Sequence, residues 1–411
     1  MALVTVTAMH LVLGTVLPAS TPWPQPSHIT TGSATLRIDG AVRVTVVGSG
    51  SAGLPPDAPV HVAAMRVGAA LGRGNGRGCA QRASTDTPTL RDCSVTVASP
   101  GVPLGPEVDE SYTLELSAAG YCAIGAGTQW GAIHALESLS QLANENCTIE
   151  NAPVAIDDRP RFSFRSLMID SSRHFLPVPF LKHIIDAMAA NKLNILHWHI
   201  VDSQAFPYNS TRFPKLVEGA YSTQATYQPS QISELVTYAA SRAVRVMPEF
   251  DIPGHGDWSK GNPAVMVLDG PCTNTLNPTI DATYTFLEQF LLELGTIFPE
   301  QYLFLGGDEV SGDCWSGSPT VQSWMTRHGM NATQLGRYFW QQMTSRVLPK
   351  LNKVRDFCAS RLLPWSARAA LAGLLVYSID GTRRILTHRN LSCSGRVDDR
   401  GMGGQQATAT S

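Results

Sequence analysis

Apolar positions follow two different rhythms along the chain, and the change between them sets the predicted architecture. Between residues 21 and 160, short β-rich runs (Leu36 to Ile38, Val42 to Val47, Tyr112 to Leu116) alternate with turns rich in Gly, Pro and Ser. Such runs bounded by turn formers predict strands. The stretch closes on a helix predicted from Trp130 to Leu142. There Ile133, Leu136, Leu139 and Leu142 recur every three residues, and Ala132 and Ala135 fill the same face. A small α+β domain is expected. From Phe162 onward, apolar runs end in polar residues and helical stretches follow them. Leu167 to Asp170 precedes a helix around Phe180 to Asn191, and Asn194 to Ile200 precedes one near Ser230 to Arg242. Val244 to Phe250 precedes the helix Thr283 to Phe298, and Tyr302 to Leu305 is the fourth run. Strands alternating with helices imply right-handed βαβ units and a parallel sheet. Polar residues gathered at the strands' carboxyl ends favour a (β/α)8 TIM-barrel catalytic domain, with a doubly wound open sheet as the competing architecture.

The alternation stops near Lys353. Residues 355–411 hold eight arginines, no lysine and no glutamate, and finish in a Gly/Gln/Ala/Thr/Ser run. A barrel needs about eight strand–helix units, and only four are legible, so the barrel is expected to be incomplete here. Residues 354–411 read as an atypical tail, best accounted for by a departure from the natural reading frame near Lys353. At the other end, Leu3 to Leu17 is apolar and gives way to Pro18, Ala19 and Ser20, so 1–20 is read as a signal peptide although it lacks Lys and Arg. The expected domains are therefore 1–20 signal, 21–160 amino-terminal α+β domain, 161–353 first half of the barrel and 354–411 tail.

Composition narrows the function without naming it. With 43% hydrophobic and 16% charged residues in 411, the chain has ample material for two globular domains. A net charge of −2 argues against nucleic acid as a partner, since phosphate binding needs a basic footprint. No run beyond the leader reaches eighteen apolar residues, so no membrane span is expected. Eight cysteines without a CxxC pair, and sequons at Asn146, Asn209, Asn331 and Asn390, suit a glycoprotein of the secretory route and argue against a zinc ribbon. Cys79 and Cys93 lie close enough in sequence to be paired on proximity. The Gly-rich run from Gly72 to Gly78 lacks the strand, helix and Lys-Ser/Thr context of a phosphate cradle and reads as a loop. Trp258, Trp315 and Trp324 suit core or pocket-rim positions.

The chemistry concentrates at four strand ends, in the motifs RSLMIDSSRHFLPV (165–178), NKLNILHWHIVDS (191–203), RVMPEFDIPGHG (245–256) and LGGDEV (305–310). An adjacent Asp308–Glu309 pair after an apolar strand and two glycines is a candidate acid–carboxylate site. Neighbouring strand residues face opposite ways, and Gly306 and Gly307 supply the freedom to turn both inward. His197 and His199 share one strand face with Trp198 on the other. Such a pair could ligate zinc, but no third ligand at matching spacing is evident. Lining a pocket, or filling core with hydrogen bonds satisfied, suits them better.

These motifs resemble, in order, the first four barrel strands of the glycoside hydrolase family 20 hexosaminidases. Trp23–Pro24–Gln25–Pro26 and the Trp130–Gly131–Ala132–Ile133 run resemble that family's amino-terminal domain, and the likeness covers roughly residues 21–353. Phe304 stands where many members carry His. The resemblance implies an exo-acting β-N-acetylhexosaminidase, a hydrolase that removes terminal non-reducing N-acetylhexosamine by a retaining, substrate-assisted mechanism without a cofactor or metal. In that mechanism the sugar's own acetamido oxygen attacks the anomeric carbon while one acid protonates the leaving oxygen. The resemblance makes Glu309 the general acid and later base, Asp308 the group that orients the acetamide, and Asp202 with His255 a relay to Glu309. Arg173 would clamp sugar hydroxyls, with His197, His199, Glu249 and Asp251 at the pocket. It further implies a Cys272–Cys314 disulfide, glycans ending in N-acetylglucosamine or N-acetylgalactosamine as substrates, a homodimer, and a lysosomal or secreted location. The family takes later pocket walls from strands not legible here. The alternative is therefore a non-catalytic carbohydrate-binding relative that has lost activity through truncation.

Overall fold

The computed structural model describes residues 21–48, 54–73, 79, 87–267, 269–272, 274–307, 309–310 and 312–351, with the backbone of three strands between 356 and 385. The leader, most of the Gly-rich run, Asp308 and Asn390 lie outside the described residues. Two compact units divide the chain, the first made mostly of residues up to Arg159 and the second mostly of residues from Pro160 on.

The first unit contains β1 (His28–Gly48), α1 (Pro59–Leu71), β2 (Thr89–Val97), β3 (Tyr112–Leu116), β4 (Cys122–Ala126), α2 (Gln129–Leu142) and β5 (Thr148–Asp158). Its strands close on themselves in the order β1-β2-β4-β3-β5. Closure depends on β1, whose first part pairs antiparallel with β5 and whose second part pairs parallel with β2, with register shifts that absorb the bend. Alternation places Leu90, Cys93, Val95 and Val97 of β2 and Tyr112, Leu114 and Leu116 of β3 inside. The Thr128 hydroxyl caps α2 by accepting from the Trp130 and Gly131 N–H groups.

The expected Cys79–Cys93 pairing is corrected here: Cys79 bonds Cys147 and Cys93 bonds Cys122. Cys93 and Cys122 face each other across the β2–β4 register with Cα atoms 4.5 Å apart, within bonding reach. Nearness in sequence had no bearing on this, because register brings together residues 29 positions apart.

The second unit contains β6 (Ser166–Asp170), α3 (Val178–Ala190), β7 (Ile195–Val201), α4 (Pro229–Ala240), β8 (Arg245–Phe250), α5 (Asp281–Ile297) and β9 (Tyr302–Phe304). There follow α6 (Gly312–Ser316), α7 (Pro319–His328), α8 (Ala332–Gln342), β10 (Asp356–Cys358), β11 (Leu375–Ser378) and β12 (Arg383–Ile385). Strands β6 to β10 run parallel in chain order, and β11 and β12 add antiparallel. β6 is an edge strand, with Leu167 and Met168 exposed.

Which strand residues face the helices distinguishes the two architectures weighed above. Leu196, Trp198 and Ile200 of β7, Val246 and Phe250 of β8, and Leu303 and Leu305 at β9 share one core with Leu181 and Ile185 of α3, Ile232 and Leu235 of α4, and Leu287 and Phe290 of α5. The helices therefore cover a single face, as in a (β/α)8 barrel, and not both faces as in a doubly wound sheet. The intervening residues His197, His199, Glu249 and Phe304 belong to the opposite face, the one that carries the chemistry. At the centre of the helix-side core, Phe290 meets Phe206, Tyr208, Phe250 and Trp258 edge-on. Nearby, the buried Glu293 carboxylate accepts from the Tyr208 and Ser210 hydroxyls and from the Thr211 and Arg212 N–H groups, which ties the loop after β7 to α5. Among the described residues, no helix is long and apolar enough to cross a membrane.

Candidate active site

The polar residues collect where β6 to β9 end. Asp170 closes β6, and its Oδ1 accepts from the Ser172 and Arg173 N–H groups, both at 3.0 Å, which turns the chain back over the strand end. Its Oδ2 accepts from Arg173 Nη1 at 2.7 Å. Arg173 Nη2 reaches Asp202 Oδ2 at 2.6 Å, and Nε donates to Gln204 Oε1 at 3.1 Å. Burial disfavours the guanidinium charge, but the bond to Asp170 and the nearby Asp202 and Asp251 outweigh it and raise its pKa. Arg173 is thus oriented from three sides while its side chain stays 36% exposed.

Asp202, 1% exposed, is the hub. Beyond Arg173, it receives His199 Nε2 at 2.9 Å, His255 Nδ1 at 3.2 Å and the Ser203 N–H at 2.5 Å. Burial alone would raise its pKa. The bonds from His199, His255 and Ser203 prevail and hold it well below the usual carboxylate range. On its far side, His255 Nε2 lies 3.3 Å from Glu309 Oε2. Asp202, His255 and Glu309 therefore form one continuous line.

Two of these positions use unusual backbone. His255 has φ +48° and Glu309 φ +53°, a region non-glycine residues occupy at a cost. Gly306 and Gly307 precede Glu309 at φ +60° and +97°. A methyl group on Gly306 would fall 1.9 Å from Asp251 Oδ1, and one on Gly307 would fall 2.8 Å from the Trp340 ring. The buried Asp251 accepts the Gly307 N–H at 2.7 Å and so fixes the end of β9.

Glu249, His197 and His199 are each more than nine-tenths buried. Glu249 Oε2 lies 2.7 Å from His197 Nε2 and 3.0 Å from His199 Nδ1, the latter contact too oblique for a directed hydrogen bond. The Phe304 ring packs on His197 at 4.6 Å between centroids. Burial opposes charge on both groups. Nevertheless, the His197 hydrogen bond and the charge of the neighbouring imidazoles hold Glu249 down at about 2, and the Asp202 hydrogen bond with the nearby Glu249 and Asp170 carboxylates pushes His199 up to about 10.

Glu309 is open to solvent, its side chain 75% exposed. Cys272 and Cys314 are bonded, with Cα atoms 5.0 Å apart. Asn146 and Asn331 are exposed, Asn209 is half-buried, and the Asn331 side-chain oxygen caps α8. Trp258 and Trp315 are core residues, and Trp324 stacks on His328 at the surface of α7. Sequence reasoning gave no role to Asp170 or Gln204 and placed Asp251 only at the pocket. Asp170 was findable, since an acid three residues before a loop arginine is within pairing reach. The Asp251 contact joins positions 56 apart and left no local signal.

A parallel strand–helix array with acids, imidazoles and a guanidinium at the strands' carboxyl ends is the arrangement on which (β/α)8-barrel enzymes build their sites. Residues 162–355 match the catalytic domain of glycosyl hydrolase family 20, and residues 22–142 match the family described as beta-acetyl hexosaminidase like. Beta-hexosaminidase subunit beta of Mus musculus is 42% identical over 239 residues, which is 54% of this chain and 44% of that protein. The Homo sapiens subunit beta is 40% identical over 60% of this chain and 46% of its own length. Beta-hexosaminidase 1 of Arabidopsis thaliana is 36% identical over 80% of this chain and 63% of its own length. Among solved structures, a Flavobacterium johnsoniae chitobiase superposes with a TM-score of 0.67 at 28% identity, over 80% of this chain and 51% of that one. The chain carries a glycoside hydrolase family 20 catalytic-domain match over residues 162–355, and spans less than half the length of the mammalian relatives it matches.

Proposed function

We propose that the chain carries the proton-donor half of a β-N-acetylhexosaminidase site, acting on glycans that end in N-acetylglucosamine or N-acetylgalactosamine. The observation that carries this reading is the line Asp202–His255–Glu309 in a chain that matches the family 20 catalytic domain. Asp202, held as an anion, accepts the His255 Nδ1–H and thereby turns Nε2 toward Glu309. A protonated Glu309 can then donate to the leaving oxygen, and the imidazole steadies the carboxylate that remains. Asp308, assigned from its place in the motif, would orient the acetamide for attack in the retaining, substrate-assisted route. Arg173 offers its remaining N–H groups to sugar hydroxyls. Residence in the secretory pathway, lysosomal or secreted, is part of the same reading. Three disulfides among the described residues support it, with glycans proposed at Asn146, Asn209 and Asn331. A homodimer rests on the family resemblance alone.

A second reading, sugar binding without turnover, is favoured by the exposure of the Glu309 side chain. Hydrolysis of a 4-nitrophenyl N-acetyl-β-glucosaminide by the full chain and its Glu309→Gln variant separates the two. Loss of rate by about 10²–10⁴ in the variant supports general-acid catalysis. Equal rates would refute it, and N-acetylglucosamine binding with no turnover in either protein selects the second reading.

A further inference from the structure

We infer that Glu249 is a positioning residue for this reaction: set between His197 and His199, it holds the His199 ring charged and fixed against Asp202, and so extends the Asp202–His255–Glu309 line by two members. The inference rests on the reading of Glu309 as proton donor. It gives Glu249 and His199 a role besides the pocket-lining one that the family resemblance implies.

Strand register places the parts. β7 and β8 are parallel neighbours with His199 opposite Glu249, so the two side chains leave the same face side by side. The His199 ring then spans two carboxylates, with Nδ1 3.0 Å from Glu249 Oε2 and Nε2 2.9 Å from Asp202 Oδ2. A neutral imidazole has one N–H and one lone pair, so one of these contacts would set a lone pair against a carboxylate. The imidazolium meets both, Asp202 through a hydrogen bond and Glu249 through close opposite charge. From the β6 side, Asp170 and Arg173 also face the ring, with Arg173 Nη1 3.3 Å from Nε2. That guanidinium is already paired with Asp170 and Asp202. From β7 itself, His197 lies across Glu249, and beyond Asp202 stands His255. Three carboxylates against one committed guanidinium favour a charged His199. The raised His199 and lowered Glu249 pKa values run the same way.

The consequence falls on Asp202. With a cation fixed on one side, Asp202 stays an anion and does not draw the proton that His255 and Glu309 exchange. Replacing Glu249 by Gln keeps the shape and removes the charge. His199 then loses its reason to be protonated, and Asp202 loses a charge-assisted donor.

The test uses the full chain labelled with ¹⁵N-histidine, with the His199 ring signals assigned by their loss in His199→Gln. At pH 7.5 the wild type is expected to show both His199 nitrogens protonated, and Glu249→Gln a neutral ring. Where turnover is measurable, the acid limb of the pH–rate profile of Glu249→Gln is expected to move to higher pH, which loss of packing alone would not produce. A neutral His199 in the wild type at pH 7.5, or an unchanged imidazolium in Glu249→Gln, overturns the inference. Should the variant not fold, the wild-type titration decides: His199 titrating near its ordinary 6.5 overturns it, and titration well above supports it. Failure of the proton-donor reading would appear separately, as undiminished rate in Glu309→Gln.

Discussion

Asp251 and Gly306 meet so closely that position 306 tolerates no side chain. The carboxylate holds the Gly307 N–H and fills the space a Cβ would need. Gly306→Ala combines that clash with a left-handed backbone and is expected to lower stability by about 3 kcal/mol, read from urea unfolding of the full chain. A loss below about 1 kcal/mol would mean that the close approach is absent. The need for flexible residues before Glu309 was legible from the pair of glycines. The reason for that need was not, because Asp251 reaches Gly307 across 56 positions. The same holds for His199 and Glu249. Their types and strand parity were readable, while their mutual burial depends on the β7–β8 register, which no local pattern encodes.

At the scale of elements, helices were the most legible features. Predicted spans of 180–191, 230–242 and 283–298 correspond to α3 at Val178–Ala190, α4 at Pro229–Ala240 and α5 at Asp281–Ile297. The apolar stripe that folds each helix onto the sheet is the one that marks it in the sequence. The strand runs were equally plain, because short runs rich in apolar and β-branched residues ending in polar ones mark strands that pack one face on the helices. What the stripe packs against was not plain. Phe290 lies at the meeting point of β8, α5 and the loops after β7 and β8. Phe290→Ala is expected to cost about 3–5 kcal/mol, the range for emptying a large aromatic site in a core. Thermal unfolding checks it, and a shift of under a degree would show that the site collapses freely. Disulfides were the least legible elements. Pairing by nearness in sequence failed for Cys79 and Cys93, because strand register chose their partners.

For the whole molecule, the site's charges predict how stability varies with pH. His199 is raised from its ordinary 6.5 to about 10, so its contribution is complete below about 6.5 and fades as pH climbs toward 10. Glu249 is lowered from 4.5 to about 2, so its contribution is complete above 4.5 and is lost as pH falls toward 2. Asp202 acts in the same direction as Glu249. The unfolding temperature of the full chain is therefore expected to be highest between about pH 4.5 and 6.5, with a weaker acid-side fall in Glu249→Gln. A midpoint that rises steadily to pH 9 would contradict the arrangement. By itself, the sequence determined the two regimes of the chain, the strand–helix alternation from β6 to β9, and the four motifs at the strand ends that carry the family resemblance. Those depend on periodicity and on residue type at short range, which one dimension records. Only the tertiary structure decided that the helices cover a single face, that Asp202 is the shared acceptor for Arg173, His199 and His255, and that Glu249 lies beneath the site. Each of these depends on register and burial between segments dozens of residues apart, where Coulomb attraction and desolvation act on distances that chain order does not contain.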